Sequence, residues 1–320
     1  MTSLVKIGIA QRFLRQRFLA ACAAVLAAAV FSPACAATEI AITVDDLPGN
    51  TLDQGDRVKA AETMLAAFHK HRISGVYGMI NGRMAQDPPS RRVLELWLAQ
   101  GQLLGNHTYS HLDLVKTALP DYLEDIRRNE PLLREMMGHR DFHYFRYPYL
   151  AEGDTAEKRE GVRRFLADQH YRIAPVTVDF FDYQWIEPYQ RCTAKQDGAA
   201  IAWLKTSFIE NALGAVDIAE QLAQLDFGRP IKHVLLLHLS QFDAEMTDAL
   251  LSAYEKRGVK FIGLADAVSD PAYRFDPNPL LPRAYTFLNQ ARRAKHLDNP
   301  PRVTALYNEL PEDKLAQLCK

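Results

Sequence analysis

The sequence predicts an α/β protein whose strands and helices alternate around a parallel β/α barrel. Two observations carry this reading. Short apolar runs alternate with segments of helical periodicity from residue 40 to residue 262, the pattern of a parallel sheet with crossover helices. The polar residues with chemical potential stand just past the ends of those runs: Asp45 and Asp46, His107, Arg146, Asp179 and Asp182, and His238. Polar groups gathered at the C-terminal ends of successive strands are how a β/α barrel builds its active site, which favours a barrel over an open doubly wound sheet.

Residues 40–44 read as an apolar strand ending in acid, and Val58, Met64, Leu65 and Phe68 space a helix over 56–71. Residues 75–80 are a buried strand, 92–100 a helix, and 103–104 a short strand entering a histidine loop. Leu123, Ile126, Leu132 and Leu133 mark a helical region over 119–137, which Pro131 is expected to kink or break. A strand at 143–145, a helix at 156–169, a strand region at 171–178 and a mostly helical stretch at 199–225 follow. The most apolar run, 233–239, is a core strand; a helix over 244–256 and a strand over 259–262 complete the pattern. Beyond Pro271, Pro277, Pro279, Pro282, Pro300 and Pro301 interrupt two short amphipathic helices near 283–296 and 311–318. The expected organisation is a segment 1–36 to be set aside, a main domain over 37–270 and a C-terminal helical extension over 271–320.

Residues 1–36 read as a secretory signal peptide. Lys6, Arg12, Arg15 and Arg17 form a positive start, residues 18–31 are apolar, and Ala34-Cys35-Ala36 fits a cleavage site. The apolar run falls short of the roughly 20 residues that span a bilayer. The expected location is the periplasm or the exterior, with no stable membrane insertion. Without that segment the balance is 34 basic against 39 acidic residues, and nothing suggests the basic face that nucleic acid requires. Cys192 and Cys319 remain. Export permits a disulfide between them, and two free buried thiols fit the sequence equally.

Asp45-Asp46 together with His107 and His111 can supply an Asp/His/His metal site and leave one carboxylate free as a base. That is the minimum for metal-assisted hydrolysis. Each motif has a bland reading. Paired aspartates suit a turn or helix cap, and a lone His238 at a strand end suits a satisfied core histidine. His139 and His143 repeat the four-residue spacing across Gly138, and His69 and His71 cannot share a helical face; all four read as surface or packing residues. Gly-x-Ser-x-Gly, His-Glu-x-x-His and phosphate-binding glycine loops are absent from the sequence.

Five stretches occur in order: Thr43-Val44-Asp45-Asp46, His107-Thr108-Tyr109-Ser110-His111, Arg146-Tyr147-Pro148-Tyr149, Asp179 to Trp185, and Leu235-Leu236-Leu237-His238. Together they resemble the polysaccharide deacetylases of carbohydrate esterase family four, the nodulation-factor and chitin deacetylase group. The resemblance runs over roughly residues 40–265 and implies a distorted barrel of about seven strands. It also implies a divalent metal, usually zinc, with Co²⁺, Fe²⁺, Ni²⁺ or Mn²⁺ as alternatives. The implied reaction is hydrolysis of a linear amide C–N bond, removing acetyl from an N-acetylhexosamine glycan such as chitin or peptidoglycan. By position, Asp46, His107 and His111 look like the metal ligands and Asp45 like the base. Arg146 would orient Asp45, and the Tyr149 backbone N–H would help bind the oxyanion. Asp182 would tether Arg146 or His238, with Asp179 competing for that role, and His238 would protonate the leaving amine. Pro148, Asp179 and Trp185 would shape the substrate pocket. Two departures concern the groove: Leu150 replaces the usual glycine, and Asp182 and Trp185 are not adjacent. Acetyl-ester or non-sugar amide hydrolysis, or glycan binding without turnover, are the alternatives on this scaffold. The oligomeric state stays open.

Overall fold

A computed structural model describes residues 37–49, 54–278, 280, 285–308 and 311–320. Residues 1–36, read above as a signal peptide, lie outside the described residues. Seven parallel strands form the sheet: β1 (Glu39–Leu47), β2 (Tyr77–Ile80), β3 (Leu103–Asn106), β4 (Tyr144–Phe145), β5 (Arg172–Ile173), β6 (His233–His238) and β7 (Lys260–Ile262). Their order is β5-β4-β3-β2-β1-β6, with β7 pairing on the first residues of β1.

The sheet curls until its edges nearly meet. β5 is one edge, and Val178 pairs in parallel with Leu235 of β6 at the other. The Val178 N–H donates to the Val234 carbonyl and the Leu236 N–H to the Val178 carbonyl, each at 3.0 Å. Ile173 and Val178 are five positions apart in the chain, so the gap is at most about 18 Å. The result is a distorted β/α barrel with a short irregular seam.

Strand alternation sorts the side chains. On β1, Ile40, Ile42 and Val44 face outward into the main core against the surrounding helices. Ala41 faces inward, joining Tyr77, Met79, Tyr144 and Val234 in a small apolar plug inside the barrel. The same inward row climbs from Ala41 through Thr43 to Asp45. On β6 it climbs from Val234 through Leu236 to His238. Each row is apolar at its base and polar at its C-terminal end, where a site can open.

Several elements depart from expectation. The helix Leu119–Met137 runs unbroken through Pro131. Its buried face of Tyr122, Ile126, Asn129, Leu133 and Met137 anchors both halves, so packing outweighs the missing donor. The strand region over 171–178 reduces to β5 and the Val178 bridge. Helices Ile186–Ala194 and Pro301–Asn308 were not anticipated. Pro188 and Pro301 sit in the first turn, where a proline costs no hydrogen bond. Cys192 and Cys319 are bridged, across a sequence separation of 127.

Candidate active site

Two adjacent strand residues ordinarily point to opposite faces, yet Asp45 and Asp46 line one cavity. The backbone explains this. The β1–β2 register shifts between Val44 and Leu47, and Asp46 adopts φ 62°. A bulge of this kind re-aims a side chain beside a functional site. Left-handed backbone at a non-glycine residue is costly and must be held by its surroundings. Five such residues line this cavity: Asp46, His111, Tyr149, Leu150 and Phe181.

Asp45 is buried, and the Arg146 Nη1 donates to both its oxygens at 3.1 Å. Arg146 is itself fixed: its Nε donates to the Ala174 carbonyl at 2.7 Å and its Nη2 to the Thr43 hydroxyl at 3.0 Å. Burial raises the Asp45 carboxyl above its ordinary range, and the positive charge of Arg146 only partly offsets this. The geometry favours proton acceptance: an oriented carboxylate with raised basicity.

A buried amide network sets the histidine loop. Asn129 Nδ2 donates to the Ile80 carbonyl at 2.7 Å and to Asn106 Oδ1 at 3.0 Å. Asn106 Oδ1 also accepts the Thr108 N–H, and Asn81 Nδ2 donates to the His107 carbonyl. Asp125 Oδ2 accepts the Ser110 N–H. With the loop pinned, His107 Nδ1 meets the Arg146 carbonyl at 2.8 Å, which turns Nε2 into the cavity. Burial, helped by the neighbouring His111, pushes the His107 imidazole down to about 3. It is therefore neutral at working pH, the state a ligand needs.

His107 Nε2 and His111 Nε2 lie 3.5 and 3.3 Å from Asp46 Oδ1. One donor atom from each residue lies within 4.8 Å of the others. Asp46 Oδ1 is buried and has no hydrogen-bond partner among the described residues. Donors about 2.1 Å from a common tetrahedral ion stand about 3.4 Å apart. An orphaned carboxylate oxygen between two imidazole nitrogens, one tautomer fixed by a carbonyl, therefore fits a divalent cation.

Next to Asp45, at the end of the adjoining strand β6, His238 is gripped twice by Asp182. Its Oδ1 meets the ring Nδ1 and its Oδ2 accepts the His238 backbone N–H, both at 2.7 Å. Burial alone would lower the His238 pKa, but the Asp182 carboxylate outweighs it and holds the imidazole well above its ordinary value. Asp182, not Asp179, is thus the partner of His238, while Arg146 turns to Asp45. Asp179 lines the cavity instead, and burial pushes its carboxyl up to about 6.

The cavity measures about 370 Å³. Tyr149 stands at its mouth, 56% exposed, its ring 4.5 Å from that of His111. Pro148 and Asp182 lie behind the wall. The expectation that Trp185 lines the pocket is corrected: its side chain is fully buried, donates to the Ser207 hydroxyl at 3.0 Å and packs on Phe208. Phe181 and Tyr183 take that place, the Tyr183 ring 5.7 Å from His238. Sequence reasoning also missed the supports Asn81, Asn106 and Asn129. Only Asn106, directly before His107, carried a local signal.

The polysaccharide deacetylase family model matches residues 35–164. The match contains Asp45, Asp46, His107, His111 and Arg146, and ends before Asp182 and His238. A peptidoglycan-N-acetylglucosamine deacetylase of Bacillus cereus is 24% identical over 42% of this chain and 46% of its own length. A chitin deacetylase of Arthroderma benhamiae is 24% identical over 72% of this chain and 52% of its own. The chain thus spans about half the length of these curated relatives. A CE4 family pseudoenzyme from Bacillus anthracis superposes with a TM-score of 0.51 at 13% identity, over 73% of this chain and 66% of that one.

Proposed function

We propose, from the polysaccharide deacetylase domain that residues 35–164 carry, that this protein is a metal-dependent hydrolase removing acetyl groups from an N-acetylhexosamine glycan. The observation that carries the proposal is the convergence on one cavity of three units: the arginine-held Asp45, the Asp46–His107–His111 donor set and the Asp182-held His238. A binding protein has no need of an oriented base and a carboxylate-charged imidazole side by side on neighbouring strands at one cavity.

A divalent ion held by Asp46, His107 and His111 would polarise the acyl oxygen and acidify water. The chain's own residues supply the rest. Asp45 accepts the proton of the attacking water, and Arg146 keeps both carboxylate oxygens facing it. The His238 imidazolium gives its proton to the amide nitrogen as the C–N bond breaks, since an amine leaves poorly unless protonated. Acetate and the free amine result. Tyr149, by its place at the mouth, bears on the acyl oxygen through its backbone N–H. An exported location is part of the proposal, supported by the Cys192–Cys319 bridge, which suits an oxidising compartment.

The test is acetate release from chitooligosaccharides, peptidoglycan and acetylated xylan, compared side by side with and without added divalent metal. Metal-dependent release from an N-acetylated glycan is expected. Release from acetylated xylan alone would reassign the protein to ester hydrolysis. No release from any substrate, with glycan binding retained, would make it a pseudoenzyme.

A further inference from the structure

The turn Asp182–Trp185 sets two groups of the site: Asp182, which grips His238, and Tyr183, whose ring stands at the cavity. It opens on the left-handed backbone of Phe181, a conformation that its surroundings must hold. Two of those supports are close by. Asp179 Oδ1 accepts the Phe181 N–H at 2.8 Å, and at the far end the Trp185 indole donates to the Ser207 hydroxyl. A third is the end of the chain: the helix Glu312–Gln317 packs against the turn.

That helix cannot hold itself. It has six residues, and among the described residues no side chain caps its N-terminus. An isolated helix needs about 12–15 residues to be even marginally stable in water, and chain ends fray unless tied down. This end is tied to the helix Ile186–Ala194, which continues directly from the turn. Arg191 donates from Nε to the Leu318 carbonyl at 3.1 Å and from Nη2 to the Leu315 carbonyl at 2.9 Å. Cys192 is bonded to Cys319. Leu315 enters the core at 2% exposure, and the Lys314 Nζ lies 3.7 Å from the centre of the Trp203 ring. The bridge thus closes a clamp in which turn, following helix and chain end pack as one unit.

We propose that Leu315 and Cys319 are positioning residues for the pair Asp182–His238. Stapled by the bridge, the C-terminal helix holds the turn so that Asp182 stays on His238 and Tyr183 stays at the cavity. The catalytic consequence rests on the deacetylase reading above; the mechanical one does not. The metal-ligand side is independent of the clamp, because Asp46 belongs to β1 and His107 and His111 to the loop after β3.

The experiment compares wild type with two variants, each well below its melting temperature. Cys319→Ser opens the bridge at the chain end; Leu315→Ala keeps the bridge and removes the buried side chain. Hydrogen exchange is read at Tyr183 and Gln184, whose N–H groups bond Asp182 Oδ1 and the Phe181 carbonyl. It is read also at Thr108 and Ser110 in the histidine loop. Exchange at the turn should rise by about 10-fold or more in both variants, as local opening there becomes easier, with the loop unchanged and bound metal at the wild-type level. Turnover of an N-acetylated sugar should fall about 10-fold, within the ~10²-fold that a misplacement of about 1 Å can cost. An ester with a good leaving group needs no acid and should lose less than about 2-fold. Leu315→Met should restore the exchange and the rate. Unchanged exchange at the turn in both variants, or equal losses on amide and ester, overturns the inference while leaving deacetylation standing. If the wild type releases no acetate, the deacetylase reading fails and exchange at the turn decides alone: unchanged protection overturns the positioning role, and faster exchange upholds it.

Discussion

Replacing Asp182 by Asn should separate amide hydrolysis from ester hydrolysis. Asp182 accepts two hydrogen bonds from His238, ring and backbone, each at 2.7 Å. Asparagine is nearly isosteric but offers one acceptor oxygen and one donor amide. One of the two His238 donors must therefore lose its acceptor, an unsatisfied buried group worth about 1–3 kcal/mol of stability. The larger effect is on charge. With the carboxylate gone, the burial that already opposes the imidazolium is unopposed by its main partner, and the His238 pKa should fall below its ordinary 6.5. At pH 7.5 less than about a tenth of the protein would then carry the proton, since one pH unit is tenfold. Loss of general-acid catalysis as a whole costs about 10²–10⁴-fold, so kcat on an N-acetylated oligomer should drop at least about 10-fold. The sign is that the acid works protonated: the wild-type rate falls only as pH rises well above 6.5, and the variant's falling limb moves to lower pH. An ester with a good leaving group needs no proton and should retain most of its turnover. Both pH profiles should be measured at matched metal content. Equal losses on amide and ester, or an unshifted falling limb, would refute the assignment of His238 as the acid.

Three further outcomes are expected. Asp45→Asn should keep metal, read by elemental analysis, and lose about 10²–10⁴-fold in kcat; loss of metal here but not in Asp46→Asn would exchange the two roles. A chelator should abolish acetate release reversibly, and His107→Ala should lower bound metal from about one ion per chain. Cys192→Ser opens a loop of 127 residues, which chain entropy values at about 4.9 kcal/mol at most. The melting temperature should fall by several degrees, and two free thiols in the unreduced, denatured protein lacking residues 1–36, which hold Cys22 and Cys35, would contradict the bridge.

The alternation of strands and helices was legible in the sequence because the central strands of the barrel are mostly buried apolar runs, from Ile40 to Val44 and from His233 to Leu239, whereas the short β5 and β7 are not. The residues at the site were legible because they follow those runs directly. Their partners were less so. The choice between Asp179 and Asp182 turns on a φ of 58° at Phe181, a backbone excursion that no spacing encodes. Trp185 was misplaced for the same reason: the turn over Asp182–Trp185 carries the indole into the core and leaves Phe181 and Tyr183 at the cavity. The amides of Asn81, Asn106 and Asn129 are scattered over 49 positions and meet only once β2 and β3 pair. Pro131 misled because the buried face that overrides it is a tertiary property.

The seam between β5 and β6 has a consequence for how Asp45 is held. The stretch that crosses it, Ile173 to Val178, is also the stretch whose Ala174 carbonyl fixes Arg146. The Ala174 N–H bonds the Phe145 carbonyl on β4, and β5 is only two residues long, so the anchor of Arg146, and with it the counter-charge on Asp45, hangs on a thinly paired edge of the sheet. Fraying of that edge would leave the histidine loop, held by its own amides, in place and would cost Asp45 its orienting arginine.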